Sequence, residues 1–309
     1  MATEKTIKGT IVKIERFAIH DGPGIRTVIF FKGCPLRCQW CSTPESQTVS
    51  PEMAYYASKC TQCQKCLEVC PPKAITVSAD GKIVTDKNLC DNCGKCVEVC
   101  PNEARKMVGE EMTVEQVMAE IEKDTVFYWN SGGGVTLSGG EPTMQPKFTL
   151  AILKACKERG IHTAIETCGY VEWDVLDEML KYLDFVYFDI KHILPIEHEK
   201  LTGRKNDLVL ENCRKIISNY PQILLVMRIP VIPGYNDSEE NIVNTARFAC
   251  QLKGVMRLEL LPYHKFGVHM YDALLRDYSL AEVKTPSAER MRELENLVRS
   301  CGVPVQIGG

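Results

Sequence analysis

Long hydrophobic runs are missing from this sequence. The longest fully apolar stretches, such as Ile223–Met227, fall far short of the ~20 residues a membrane-spanning helix needs, so no membrane partner is expected. The start, MATEKTIKGT, has no apolar core of the kind a secretory leader carries. An excess of charge of either sign is missing as well. Against 37 Lys and Arg stand 40 Asp and Glu, a formal net charge of −3. That balance leaves no basic stripe for nucleic acid or for an anionic lipid surface. The cytoplasm is the expected compartment. With 309 residues, 45% of them hydrophobic, and a mean hydropathy of −0.13, the chain has room for one large domain and a small one, or two of medium size.

What the sequence has is cysteine, 16 in all. A reducing compartment disfavours disulfides, which suit small secreted domains. Eleven of the cysteines lie between Cys34 and Cys100 at short fixed spacings, a pattern of metal or cluster ligation.

Three stretches differ in character. Residues 6–33 are strand-rich, with TIKGTIVKIERF and RTVIFFKG separated by the turn AIHDGPG. Residues 49–105 show little periodicity but contain a repeat: KCTQCQKCLEVCP at 59–71 returns as LCDNCGKCVEVCP at 89–101, thirty residues on. From 112 onward helical and strand patterns alternate. Counting RTVIFFKG, this predicts six strands before a last short segment, VPVQIGG, and argues for a parallel sheet. A curled sheet or partial barrel would carry its functional loops at the C-terminal strand ends. GCPLRC, SGGEP, ETCG, DIK, PGYND and PYHKFG fall there. An open Rossmann-like sheet is the alternative arrangement.

Cys34, Cys38 and Cys41 form C-x3-C-x2-C directly after a strand. Three thiolates so spaced can hold three corners of a [4Fe–4S] cluster and leave the fourth iron open, as a catalytic site requires. A structural zinc site would want four closed ligands, and no fourth Cys or His stands at zinc spacing from this triplet. The repeat reads twice as C-x2-C-x2-C-x3-C-P, the run of two-cluster bacterial ferredoxins, in which the fourth cysteine ligates the other cluster. Cys60, Cys63 and Cys66 are therefore expected to share a cluster with Cys100, and Cys90, Cys93 and Cys96 with Cys70.

Taken together, these residues resemble radical S-adenosylmethionine (SAM) enzymes. More narrowly, they resemble the activating enzymes of glycyl radical enzymes, in the subgroup with an inserted ferredoxin domain. The likeness rests on DGPGIRTVIFFKGCPLRCQWC at 21–41, the insert after it, SGGEP at 138–142, DIK at 189–191 and LLPYHKFG at 260–267. It implies an α/β fold: a partial (β/α)6 TIM-like barrel of residues 1–49 and 106–309, with a bacterial ferredoxin-like two-cluster domain at 50–105. It implies three [4Fe–4S] clusters, and SAM bound through its amino and carboxylate groups at the open iron of the catalytic triplet Cys34, Cys38 and Cys41.

Around SAM, the resemblance implies contacts from Trp40, Cys41 and Ser42 after the first strand, Trp40 taking an aromatic position near adenine or else packing over the cluster. Gly139, Gly140 and Glu141 would lie by the amino group, and Asp189, Ile190 and Lys191 by the carboxylate, Lys191 as its cation. Arg228 and His264 would stand near the carboxylate and the ribose or adenine. Glu166, Thr167 and Asp189 resemble a monovalent-cation site, although this chain has Glu-Thr-Cys-Gly where the family often has Asp-Thr-Asn-Gly. Asp21 would contact the substrate peptide backbone, or serve simply as an Asp-Gly turn residue. Thr43 departs from the usual SNPES; its hydroxyl can still hydrogen-bond. Cys156, Cys168, Cys213, Cys250 and Cys301 have no ligand-like spacing and read mostly as packing, with Cys168 alone at a strand end facing the site.

The implied reaction is reductive cleavage of SAM, then hydrogen abstraction from a backbone glycine in the C-terminal glycine loop of a partner glycyl radical enzyme. A flavodoxin or ferredoxin is the expected electron donor, and a monomer the expected state. The competing readings are another radical SAM enzyme acting on a small molecule or peptide, and a purely electron-transferring iron–sulfur protein. The second leaves the SGGEP, DIK and PYH loops without a task.

Overall fold

A computed structural model describes residues 7–308; the first six residues of the stretch weighed as a leader lie outside the described residues. Thirteen strands follow in order: β1 (Lys8–Ala18), β2 (Arg26–Phe31), β3 (Glu52–Tyr55), β4 (Ile75–Val77), β5 (Ile83–Thr85), β6 (Arg105–Val108), β7 (Glu110–Thr113), β8 (Gly134–Gly139), β9 (His162–Thr167), β10 (Phe185–Asp189), β11 (Leu224–Val231), β12 (Val255–Pro262) and β13 (Val305–Ile307). Nine of them make one sheet, ordered β13-β12-β11-β10-β9-β8-β2-β1-β7. From β2 to β13 every neighbour is parallel. The six expected strands are all there, and VPVQIGG adds a seventh as β13. At the other end β1 pairs antiparallel with β2 and β7, so the sheet is mixed.

The parallel strands are buried on both faces, as helix-covered strands are. Alternate residues such as Ile29, Leu137, Ile165, Phe188, Met227 and Leu258 pack against the helices and form the main core. Ala164, Phe185, Tyr187 and Val226 form a smaller cluster on the other face. The helices are cut by local signals. The helix Val114–Glu122 starts with a capping box from Thr113 and Gln116, and Glu239–Leu252 starts at Ser238, whose hydroxyl accepts from the Asn241 N–H.

Residues between β2 and β7 fold apart from the sheet. β3 pairs with β6, bringing Glu52 opposite Val108, and β4 pairs with β5. Cys66, Cys96, Met53, Ile75, Ile83 and Ala104 share a core of their own.

Candidate active site

The loop after β2 carries the first three cysteines and is held from several sides. Gly33 N–H donates to Ser46 O (2.6 Å), Arg37 N–H to Thr202 O (2.7 Å) and Cys41 N–H to Cys38 O (3.1 Å). The Arg37 guanidinium reaches back to the Cys34 carbonyl (2.6 Å). Cys34, Cys38 and Cys41 consequently line one cavity of about 270 Å³. The ends of β2, β8, β9, β10, β11 and β12 all contribute to its wall, which requires the sheet to curl around it as a partial barrel does.

Most residues singled out from the sequence meet here. Trp40, Cys41 and Ser42, Gly139 and Gly140, Asp189 and Lys191, Arg228 and His264 all line the cavity. Glu141 and Ile190 do not. Ile190 belongs to the main core, because consecutive strand residues point to opposite faces. Glu141 is fully buried. Its carboxylate accepts from the Thr143 N–H (3.2 Å) and hydroxyl (2.9 Å), the Thr167 hydroxyl (2.9 Å) and the Cys168 N–H (2.8 Å), tying the loop after β8 to the end of β9. Gly139 (φ 100°) needs its missing side chain for a reason internal to the protein. A Cβ there would stand 2.4 Å from the Phe31 nitrogen, and one at Gly140 would stand 2.3 Å from the Gly33 oxygen. Thr43 keeps hydrogen-bonding capacity, its hydroxyl accepting from Ser46 (3.2 Å).

The cavity wall carries a compact charge network. Asp189 and Arg228 are register partners on β10 and β11. Arg228 donates from Nε to Asp189 (3.0 Å) and from Nη1 to Glu166 (2.8 Å), over the face of Tyr187 at 4.4 Å. Lys191 donates to the other Asp189 oxygen (2.8 Å), and the Ser138 hydroxyl donates to Glu166 (2.5 Å). Burial would lift the Asp189 pKa, but Arg228 and Lys191 hold it below the ordinary carboxylate range. Burial opposes the charge on Lys191 and Arg228 too, and the facing carboxylates outweigh it, so both are raised. His264 is lowered by burial. Its Nδ1 accepts from the Phe266 N–H (3.3 Å), and its ring stacks on that of Phe266 at 4.0 Å.

Glu166, Thr167 and Asp189 do not converge through their side chains. A guanidinium joins the two acids, while the Thr167 hydroxyl turns to Glu141. Asp21 lies outside the cavity wall, half-buried in the hairpin turn between β1 and β2. Its carbonyl accepts from the Thr136 hydroxyl (2.6 Å). Burial first, and the Glu166 charge second, raise its carboxyl to about 6, against a partial pull from Arg228. Cys168 lines the cavity together with Cys34. Cys156 and Cys213 are core residues, and Cys250 is exposed.

Sequence reasoning missed Leu36, Ile232 and Tyr263 in the wall. All three are apolar or aromatic and look like any core residue in sequence. Tyr263, hydrogen-bonded to the Tyr278 hydroxyl at 2.7 Å, adjoins the noted His264, the only signal available.

Two smaller cavities lie in the segment between β3 and β6. Cys60, Cys63, Cys66 and Cys100 line one, and Cys70, Cys90, Cys93 and Cys96 the other. The fourth cysteine of each run thus stands with the first three of the other.

A curled parallel sheet with a cysteine triplet at its mouth defines a class. The sequence model of the Radical SAM superfamily matches residues 28–246. In fold, the chain is similar to a radical SAM methyltransferase from Sphaerobacter thermophilus, at a TM-score of 0.53 and 15% identity, over 91% of this chain and 66% of that one. It is 46% identical over 284 residues to an isethionate sulfite-lyase activating enzyme of Oleidesulfovibrio alaskensis, covering 91% of each. It is 43% identical over 302 residues to a trans-4-hydroxy-L-proline dehydratase activating enzyme of Clostridioides difficile, covering 97% of this chain and 99% of that one. The chain belongs to the radical SAM superfamily and, within it, to the glycyl radical enzyme activating enzymes. It is an oxidoreductase. Among the described residues no helix is long and apolar enough to cross a membrane.

Proposed function

We propose that the chain carries three [4Fe–4S] clusters and uses them, with SAM, to install a radical on a glycine in the C-terminal loop of a partner enzyme. In this reading Cys34, Cys38 and Cys41 hold the reactive cluster with one iron open. Cys60, Cys63, Cys66 and Cys100 hold a second, and Cys70, Cys90, Cys93 and Cys96 a third. Residues 50–105 are then a ferredoxin-like domain set into a barrel of residues 1–49 and 106–309. What carries the reading is that each set of thiols lines a cavity of its own, the first together with Trp40, Lys191, Arg228 and His264.

When bound, the cluster and SAM supply the one-electron cleavage and the 5′-deoxyadenosyl radical that takes hydrogen from the glycine Cα. The chain's residues bind and orient. Lys191 is kept charged by Asp189 and pairs with the SAM carboxylate, with Arg228 beside it. Trp40, packed among Leu201, Ile232 and Tyr263, gives adenine a rigid aromatic wall. His264, its Nδ1 already accepting, offers Nε2–H to the ribose or adenine. Arg228 does between Glu166 and Asp189 what a monovalent cation would do. Asp21 meets the partner's glycine loop, the donor is a flavodoxin or ferredoxin, and the protein works as a cytoplasmic monomer.

Reconstituted, dithionite-reduced protein given SAM is expected to release 5′-deoxyadenosine, and Cys38→Ala protein is not; wild-type protein that releases none refutes the reading. Anaerobic incubation with isethionate sulfite-lyase and with trans-4-hydroxy-L-proline dehydratase, read by electron paramagnetic resonance, tests the partner class. Replacing Cys60 and Cys90 tests whether the second and third clusters relay electrons from the protein donor to the first. Activation should then survive with a chemical reductant and fail with a protein donor.

A further inference from the structure

The two cysteine quartets come from a thirty-residue repeat, and the backbone repeats with them. Gln62 and Asn92 (φ 57° and 56°), Gln64 and Gly94 (63° and 78°), and Lys73 and Glu103 (53° and 50°) take matching left-handed conformations. Lys65–Glu68 and Lys95–Glu98 are matching single helical turns. Gln62 Oε1 accepts from the Ile83 N–H (2.8 Å), as Asn92 Oδ1 does from the Met53 N–H (3.0 Å).

The match breaks just after a buried alanine in each half: Ala74-Ile75 becomes Ala104-Arg105. Both second residues are buried, Ile75 at 6% exposure and Arg105 at 2%. Ile75 lines the cavity of Cys70, Cys90, Cys93 and Cys96, and Arg105 lines that of Cys60, Cys63, Cys66 and Cys100.

A buried guanidinium is costly unless an anion faces it. The partners of Arg105 are the Thr85 hydroxyl (3.0 Å), Met53 sulfur (3.5 Å) and the Tyr55 ring (4.6 Å). None is a carboxylate. Its Nη2 is buried with no partner. Lys59 and Lys65 line the same cavity and no acid does, whereas the other cavity is lined by Asp91 and no Lys or Arg.

Resting on the reading that each quartet holds a cluster, we infer that Arg105 is a redox-positioning residue that makes the Cys60, Cys63, Cys66 and Cys100 cluster the more easily reduced of the two. Four thiolates on the oxidised core give a net charge of about −2, and one electron takes it to about −3. A fixed cation in the wall of the cluster's cavity, with a buried N–H still unpartnered, stabilises the more negative state. Ile75 does nothing of the kind across the pseudo-twofold. The repeat therefore builds two unequal electron carriers, and the difference lies in one side chain.

The test is a dithionite redox titration followed by electron paramagnetic resonance, on full-length chain with Cys34, Cys38 and Cys41 replaced by Ala so that only the quartets titrate. Iron far below about eight per chain overturns the cluster reading itself, and this inference with it. With iron present, two separated waves are expected, the higher one being the wave lost in Cys63→Ala protein. Arg105→Met should lower that wave by about tenfold in the reduction equilibrium, ~59 mV for a one-electron couple. Arg105→Lys should retain most of its position, and the other wave should stay. Waves unmoved by Arg105→Met, or a shift in the wave that survives Cys63→Ala, overturn the proposal. If Arg105→Met protein does not assemble, Ile75→Arg decides: a guanidinium over the second quartet should raise the lower wave, and a lower wave that stays put overturns the proposal.

Discussion

Arg228 is a single side chain on which two buried acids depend. Glu166 and Asp189 both lean on its guanidinium, so Arg228→Met would leave Glu166 without its cation and Asp189 with Lys191 alone. Removing one partner of a buried ion pair costs about 3–5 kcal/mol, and urea unfolding should show a loss of that size. Asp21 makes a different prediction. Its carboxyl is raised to about 6 from 3.8, so the folded state holds a proton that the unfolded chain gives up earlier. Asp21 thus costs stability increasingly as pH rises from about 4 to about 6, and fully above that. Asp21→Asn lacks this cost. Its melting temperature, relative to wild type, is expected to gain between about pH 4 and 6 and then level off; a difference that shrinks over that range contradicts the assignment.

Between neighbouring elements, close backbone contact matters more than side-chain bulk. The turn before β2 rests on the segment before β8: a Cβ on Gly133 would stand 1.9 Å from the Ile25 oxygen. Gly133→Ala must push the hairpin turn outward, and a loss of about 2 kcal/mol or more is expected in urea unfolding. The Glu141 carboxylate is the corresponding polar joint. Glu141→Ala leaves the Thr167 hydroxyl and the Cys168 N–H buried without their acceptor. At about 1–3 kcal/mol for each orphaned group, its unfolding midpoint should fall further than that of Glu141→Gln, which keeps one carbonyl oxygen in place.

At the scale of the whole molecule, the cysteine-rich segment is bound to the part of the chain that carries the main sheet by a buried charge cluster. Lys32, fully buried beside β2, faces Glu52 at 3.6 Å, and Arg276 donates to Glu52 at 2.6 Å and to the Pro44 carbonyl at 2.7 Å. Burial pushes the Glu52 carboxyl up, and the Thr48 hydroxyl, Arg276 and Lys32 more than reverse it, leaving it below its usual value. Ala54 packs with Met270, Ala273 and Leu274 alongside. Glu52→Ala would strand two cations, one of them fully buried, at a cost of about 3–5 kcal/mol. Limited proteolysis should then cut between residues 50 and 105 sooner than in wild-type protein.

Much of this was legible in the sequence. The cysteine runs, the thirty-residue repeat, the hairpin before Cys34 and six strands with motifs at their C-terminal ends are all written in spacings of a few residues. The antiparallel β7 was not legible, since Glu-Glu-Met-Thr is too short and too charged to read as a strand without β1 beside it. Nor was the inward-facing, brace-like place of Glu141, which depends on the end of β9 packing against the loop after β8. Ligand spacing is a property of the local chain and could be read there, down to the expectation that each fourth cysteine serves the other quartet. Strand register and curvature belong to the folded whole. It took the folded chain to place Arg228 between Glu166 and Asp189, and Arg105 in one quartet's cavity with Ile75 in the other. These pairings join residues far apart in the chain, and no spacing within it records their distance.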